Sequence, residues 1–134
     1  MDINKKMLVF GSRDVNSDLC LNLLKTKVQK LKPSHILTAG EPDGVCKVAQ
    51  IIAKEAEIPL TLFFKQISRN AGMYHHRSVQ ALKECDYAIF FYNGVSKGTK
   101  NEIDLAIKMN INHEIILIEK NNNETYGWGI DDTF

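Results

Sequence analysis

Short, continuous apolar runs alternate along this chain with stretches whose apolar residues recur every three or four positions. A run of four to six apolar residues between turn formers reads as a strand buried on both faces, and the longer spacing reads as one face of a helix. Five runs qualify: Met7 to Phe10, His35 to Thr38, Leu60 to Phe64, Asp86 to Tyr92 and Glu114 to Ile118. Between them lie four helical patterns. The first starts at Asn16 or Ser17, carries Leu19, Leu23, Leu24, Val28 and Leu31 on one face, and is closed by Pro33. The second follows Glu41-Pro42-Asp43-Gly44 with Val48, Ile51, Ile52 and Ala56 inward. The third has Asn70 as a candidate cap, runs through Met73 to about Glu84, and turns Val79 and Leu82 to the sheet. The fourth opens at Thr99 with Ile103, Ala106 and Ile107 inward.

Strict alternation of strand and helix predicts an α/β fold: a Rossmann-like three-layer sandwich with a five-stranded parallel sheet and helices on both faces. Strand order 3-2-1-4-5 puts the reversal of direction between the first and fourth strands, where open sheets of this kind bind ligands. No internal repeat or linker breaks the pattern, so residues 1–119 form one domain. Residues 120–134 are polar but hold Tyr126, Trp128 and Phe134, an aromatic content that disordered tails seldom carry. This segment is expected to pack on the body or on a partner subunit.

Composition adds limits. A chain of 134 residues with 44% hydrophobic and 25% charged residues affords one conventional core. Its net charge of +1 gives no bulk attraction to nucleic acid, so a charged ligand must be recognised locally. Cys20, Cys46 and Cys85 are widely spaced and form no CxxC pair, which reads as free thiols in a reducing cytoplasm. The first apolar run is too short for a signal peptide or a membrane span.

The candidate chemistry sits at the carboxyl ends of the predicted strands. Gly98-Thr99 follows the fourth strand and opens a helix, so its backbone N–H groups and the positive helix end can hold a phosphate. The same residues, Thr99-Lys100-Asn101-Glu102, also spell a capping box in which Thr99 and Glu102 only satisfy the first N–H groups. Gly11-Ser12-Arg13 is either an ordinary strand-to-helix turn or a second phosphate contact. Gly40 and the Asp43-Gly44 pair end the second strand, as a simple turn or as amides presented to a ligand. His75, His76 and Arg77 adjoin near the start of the third helix. Two adjacent histidines cannot chelate from one helix face, so no metal is expected. An exposed Arg77 needs no partner, whereas a buried one at a crevice would have to meet an anion.

In order and spacing, His75-x-Arg77, then Asp86 opening an apolar strand, then Gly98-Thr99-x-x-Glu102 resemble the Lonely Guy-type (LOG) phosphoribohydrolases. The Gly-Ser-Arg strand end and the Ala71-Gly72 helix start are more similar to a compact bacterial and phage branch of the same SLOG (Smf/DprA–LOG) superfamily of Rossmann domains. The resemblance covers about residues 6 to 119. It implies that Arg77 and Glu102 serve cleavage of the N-glycosidic bond of a nucleoside 5′-monophosphate, with Glu102 stabilising the ribosyl cation and Arg77 orienting sugar or phosphate. It also implies a homodimer. The chain departs from the enzymes where Asn93-Gly94-Val95-Ser96-Lys97 replaces their Pro-Gly-Gly run.

The expected protein is therefore a cytoplasmic nucleotide-binding domain whose first activity is that hydrolysis. Glu102 and Arg77 are the catalytic candidates. Gly11, Ser12, Arg13, Gly40, Asp43, Gly44, Gly98 and Thr99 are the ligand-binding ones. No cofactor is required, and the partner is a nucleotide-derived small molecule rather than a membrane or nucleic acid. The alternative is a module that senses or sequesters such a molecule without turning it over. A third reading is a deoxyribosyltransferase-like enzyme, which also sets a glutamate beside ribose.

Overall fold

The computed structural model describes residues 5–41, 43–64 and 73–118, with the side chains of residues 73–76 left out. The expectations for Asn70 as a cap, the Ser68-Arg69-Asn70 loop, the Ala71-Gly72 start, the two histidine side chains and the tail 120–134 lie outside the described residues. Nine elements follow in strict alternation: β1 (Lys6–Gly11), α1 (Ser17–Leu31), β2 (His35–Ala39), α2 (Gly44–Glu55), β3 (Leu60–Phe63), α3 (Met73–Glu84), β4 (Tyr87–Tyr92), α4 (Lys97–Lys108) and β5 (His113–Leu117). The five strands form one sheet in the order β3-β2-β1-β4-β5. All four pairings are parallel, as the alternation predicts.

The period-two rule divides the apolar runs between two cores. Met7, Val9, Ile36, Ile89 and Phe91 face one side, against Cys20, Leu24 and Val28 of α1 and Val48, Ala49 and Ile52 of α2. Leu8, Phe10, Leu37, Ala88 and Phe90 face the other, against Ala81 and Leu82 of α3 and Ile103 and Ala106 of α4. Each large side chain so buried contributes roughly 1.5–3 kcal/mol. Central β1 is sealed on both faces, with Met7, Leu8 and Val9 wholly buried. Thr38 is the polar exception in β2, and its hydroxyl donates to the Val9 carbonyl at 2.6 Å.

The helix faces are narrower than the sequence pattern implies. Leu19, Leu31, Ile51 and Ile107 were expected inward, yet each is exposed. They flank the contact stripe rather than lie on it, and isolated surface aliphatics are ordinary in folded chains. The ends of α1 are as the sequence indicates. Asn16 Oδ1 accepts from the Leu19 N–H at 3.1 Å, and the helix stops at Lys32, whose φ of 47° is left-handed, just before Pro33. Among the described residues, no helix is long and apolar enough to cross a membrane.

Candidate functional site

The carboxyl ends of β1 and β4 lie side by side, with Gly11 opposite Phe91. Where the strand order reverses, a cleft of about 1100 Å³ opens between these ends, the β2–α2 loop and the helices α3 and α4. Gly11 is required there by packing. A Cβ on it would lie 2.5 Å from the Phe91 carbonyl oxygen and 2.6 Å from Val45 Cγ2. Just beyond, the Ser12 N–H donates to that same carbonyl at 3.0 Å, which extends the ladder by one residue.

The Ser12 hydroxyl is buried and ties the two loop tips together. It lies 3.2 Å from Thr99 Oγ1 and accepts from the Asn93 N–H at 3.3 Å. Asn93 shapes the β4–α4 turn from its own side chain. Its Oδ1 accepts from the N–H groups of Val95 and Ser96 at 2.9 and 2.8 Å, and its Nδ2 donates to Asp14 at 2.6 Å. Gly94 follows with φ of 90°, a conformation that favours glycine.

The capping-box reading of Thr99 and Glu102 does not hold. The cap of α4 is Ser96, whose Oγ accepts from the Thr99 N–H at 3.4 Å and whose hydroxyl bonds Thr99 Oγ1 at 3.2 Å. Thr99 therefore sits inside the first turn with its hydroxyl turned to Ser12. Gly98, one residue earlier, has no atom within 4 Å of the place a Cβ would take. Gly98 also lines the cleft.

Glu102, freed from any capping role, meets α3. The Arg77 guanidinium donates to Glu102 Oε2 at 3.2 Å and to Glu41 Oε2 at 3.4 Å, and the Ser78 hydroxyl donates to Glu102 Oε2 at 3.4 Å. Arg77 is buried, with its guanidinium carbon 5.6 Å from the centre of the Phe10 ring. The anion that a buried arginine needs is thus supplied by the protein. Burial pushes the Glu102 carboxyl up to about 7, against the opposing pull of Arg77 and Ser78. The neighbouring Glu41 charge adds to the rise. Glu41 also accepts from Arg13 at 2.8 Å, and Arg13 Nε lies 3.9 Å from Asp43. The result is a chain of alternating charge from the cleft mouth at Arg13 to its floor at Glu102.

Eight of the ten predicted site residues line this cleft: Gly11, Ser12, Arg13, Asp43, Arg77, Gly98, Thr99 and Glu102. Gly40 and Gly44 stand behind its wall. A Cβ on Gly40 would fall 2.1 Å from the Phe64 ring. Gly44 has φ of 68°, and a Cβ there would lie 2.6 Å from the Arg13 Cα, so this glycine lets α2 start directly against the loop bearing Arg13. Sequence reading passed over Glu41, Ser78 and Asn93. Glu41 immediately follows a strand-end glycine, and Asn93-Gly94 is a turn pair, so both carried a signal. Ser78 carried none. Cys46 also lines the cleft, its thiol pushed up mainly by burial. Among the described residues, no group of three or more histidine, cysteine or acidic side chains is placed to hold a metal ion.

No protein-family model matches the sequence, and no curated protein registers as a relative. Solved structures do share the architecture. The molybdenum cofactor binding protein from the phototrophic bacterium Rippkaea orientalis matches with a TM-score of 0.67 at 19% identity, over 86% of this chain and 77% of its own. Two structures of the Moco carrier protein from Chlamydomonas reinhardtii give TM-scores of 0.60 and 0.59 at 17% and 16% identity. They cover 86% and 84% of this chain, and 77% and 76% of theirs. At such identities the shared property is the fold alone, which in this chain is a five-stranded parallel Rossmann-like sheet.

Proposed function

We propose that this protein binds a phosphorylated heterocyclic small molecule and holds it intact, as a carrier or sequestering module. The observation that carries this reading is the cradle formed by Ser12, Gly98 and Thr99. The two hydroxyls, 3.2 Å apart, and Gly98 in the first turn of α4 converge from distant stretches of chain on one cleft. Such an arrangement suits the oxygens of a phosphate. The remaining cleft has room for a ring system and its substituents. The molybdenum cofactor bound by proteins of the same fold is itself a phosphorylated heterocycle, and a nucleotide presents the same two parts. Arg77 supports binding over turnover, because it already offsets the Glu102 charge that would have to face a ribosyl cation.

One observation favours hydrolysis as the second reading. A glutamate poised at about 7 has the proton affinity that suits a general acid or base near neutral pH. The two readings part on a single experiment. The protein is incubated with the molybdenum cofactor and with a set of nucleoside 5′-monophosphates, while thermal midpoint and free base are followed together. A raised midpoint with ligand recovered intact is the expected result. Release of free base, lost in Glu102→Ala, would establish the enzyme instead. Gly98→Ala tests the cradle. Its methyl meets open space, so the free protein gains a few tenths to about 1 kcal/mol from helix propensity. Its affinity for the phosphorylated ligand falls at least tenfold, because the methyl occupies the ground the phosphate needs.

A further inference from the structure

We propose that the cleft takes up its anionic ligand together with one proton, and that this proton goes to the Glu102 carboxyl. The inference rests on the reading of the cleft as an anion-binding site and concerns how that site is charged. Its described lining holds five carboxylates against three cationic side chains. Within it, Glu102 and Glu41 share the Arg77 guanidinium, at 3.2 and 3.4 Å. Glu41 has a second cation in Arg13, whose side chain is 64% exposed and weakened by solvent. Glu102 has the Ser78 hydroxyl besides Arg77.

Among the described residues, the groups facing Glu102 are Arg77 and Ser78 from α3, Glu41 from the β2–α2 loop, and the Cys46 thiol from α2. A phosphate held by Thr99 and Gly98 sits one helical turn from Glu102, where side chains three apart are about 5–6 Å from one another. It adds a charge of about −1.5 to −2 beside a carboxyl that already lies in the field of Glu41. Protonating one buried carboxyl relieves that repulsion at least cost. Glu102 is the group already closest to accepting, its burial having lifted it to about 7. The proton comes from solvent, no bond but the new O–H forms, and the neutral carboxyl becomes a donor inside the cleft.

The test is titration calorimetry of the full chain with guanosine 5′-monophosphate as probe, near pH 8, in buffers of different ionisation enthalpy. Uptake approaching one proton per ligand is expected, with affinity falling about tenfold per pH unit above neutrality. In Glu102→Gln, which mimics the protonated acid, uptake vanishes and affinity is flat with pH. Ser78→Ala removes a bond to the ionised form, so it moves the midpoint of the pH profile upward. The ligand-free proteins supply a separate arm. Thermal midpoints of wild type and Glu102→Gln should run parallel at about pH 4 and draw apart, wild type lower, as pH rises through 7. Binding without proton uptake, an unchanged pH slope in Glu102→Gln, or parallel ligand-free profiles throughout would overturn the inference. Failure of the probe to bind at all, with the ligand-free profiles diverging as expected, would instead strike the anion-site reading beneath it.

Discussion

Burying a guanidinium in α3 would cost several kcal/mol if it met no anion. Arg77 meets two, and they come from residues 36 and 25 positions away along the chain. The sequence could say that a buried arginine here requires an anion. It could not say which, because partners at that separation are joined only by the fold. Replacing Arg77 by methionine leaves the half-buried Glu41 and Glu102 in each other's field, with Arg13 still beside Glu41. At about pH 8 a loss of about 3–5 kcal/mol is expected in urea unfolding. The loss should shrink near pH 5, where Glu102 holds its proton. Wild type behaves in the same sense more mildly. The folded pKa of Glu102 is raised above the ordinary 4.5 to about 7, so the folded chain binds the extra proton in that window. Stability from this group is full below pH 4.5 and is lost as pH rises through 7.

At the scale of elements, the strands were the most legible part, because a run of consecutive apolar residues has few other uses in a chain of ordinary composition. Their ends agree with the structure to within a residue. Helix faces were legible in phase but not in width, as Ile107 and Leu19 demonstrate. The start of α4 was the least legible element boundary. Ser96 and Thr99 both have capping chemistry, and what selects Ser96 is the Asn93 side chain holding the turn before it. This misplacement mattered for the site, since moving the cap releases Glu102 to face Arg77. Gly44 offers a check on how elements position the cleft. Alanine there is strained by the left-handed φ and collides with the Arg13 backbone. A loss of roughly 1–3 kcal/mol is expected in thermal unfolding. Weaker ligand binding should accompany it, because the loop carrying Ser12 must move.

Across the whole molecule, the order 3-2-1-4-5, expected for a strictly alternating α/β chain, is the one observed. The cleft's position followed from that order, while its polar wiring did not. The two cores also give the thiols a shared fate. Cys20 and Cys46 are buried, and burial pushes Cys20 up to about 12 and Cys46 upward. Cys85 is half-buried and raised to about 11. Native-state alkylation should therefore be slow at all three. Cys20 of α1 and Cys46 of α2 both pack on one cooperative sheet, so they should label together at the rate set by global unfolding. A Cys46 that labels much faster than Cys20 would mean the cleft wall opens independently. The central strand has one more consequence, for the order in which a ribosome delivers this chain. β1 emerges first, yet its β4 neighbour is about eighty residues behind it. Until translation passes Tyr92, the nascent half-sheet carries an unpaired apolar edge at Met7–Gly11, the kind of edge that recruits other chains. Only when that gap is filled do Ser12 and Thr99 meet, so no ribosome-bound fragment that stops short of β4 and the start of α4 can hold the cleft.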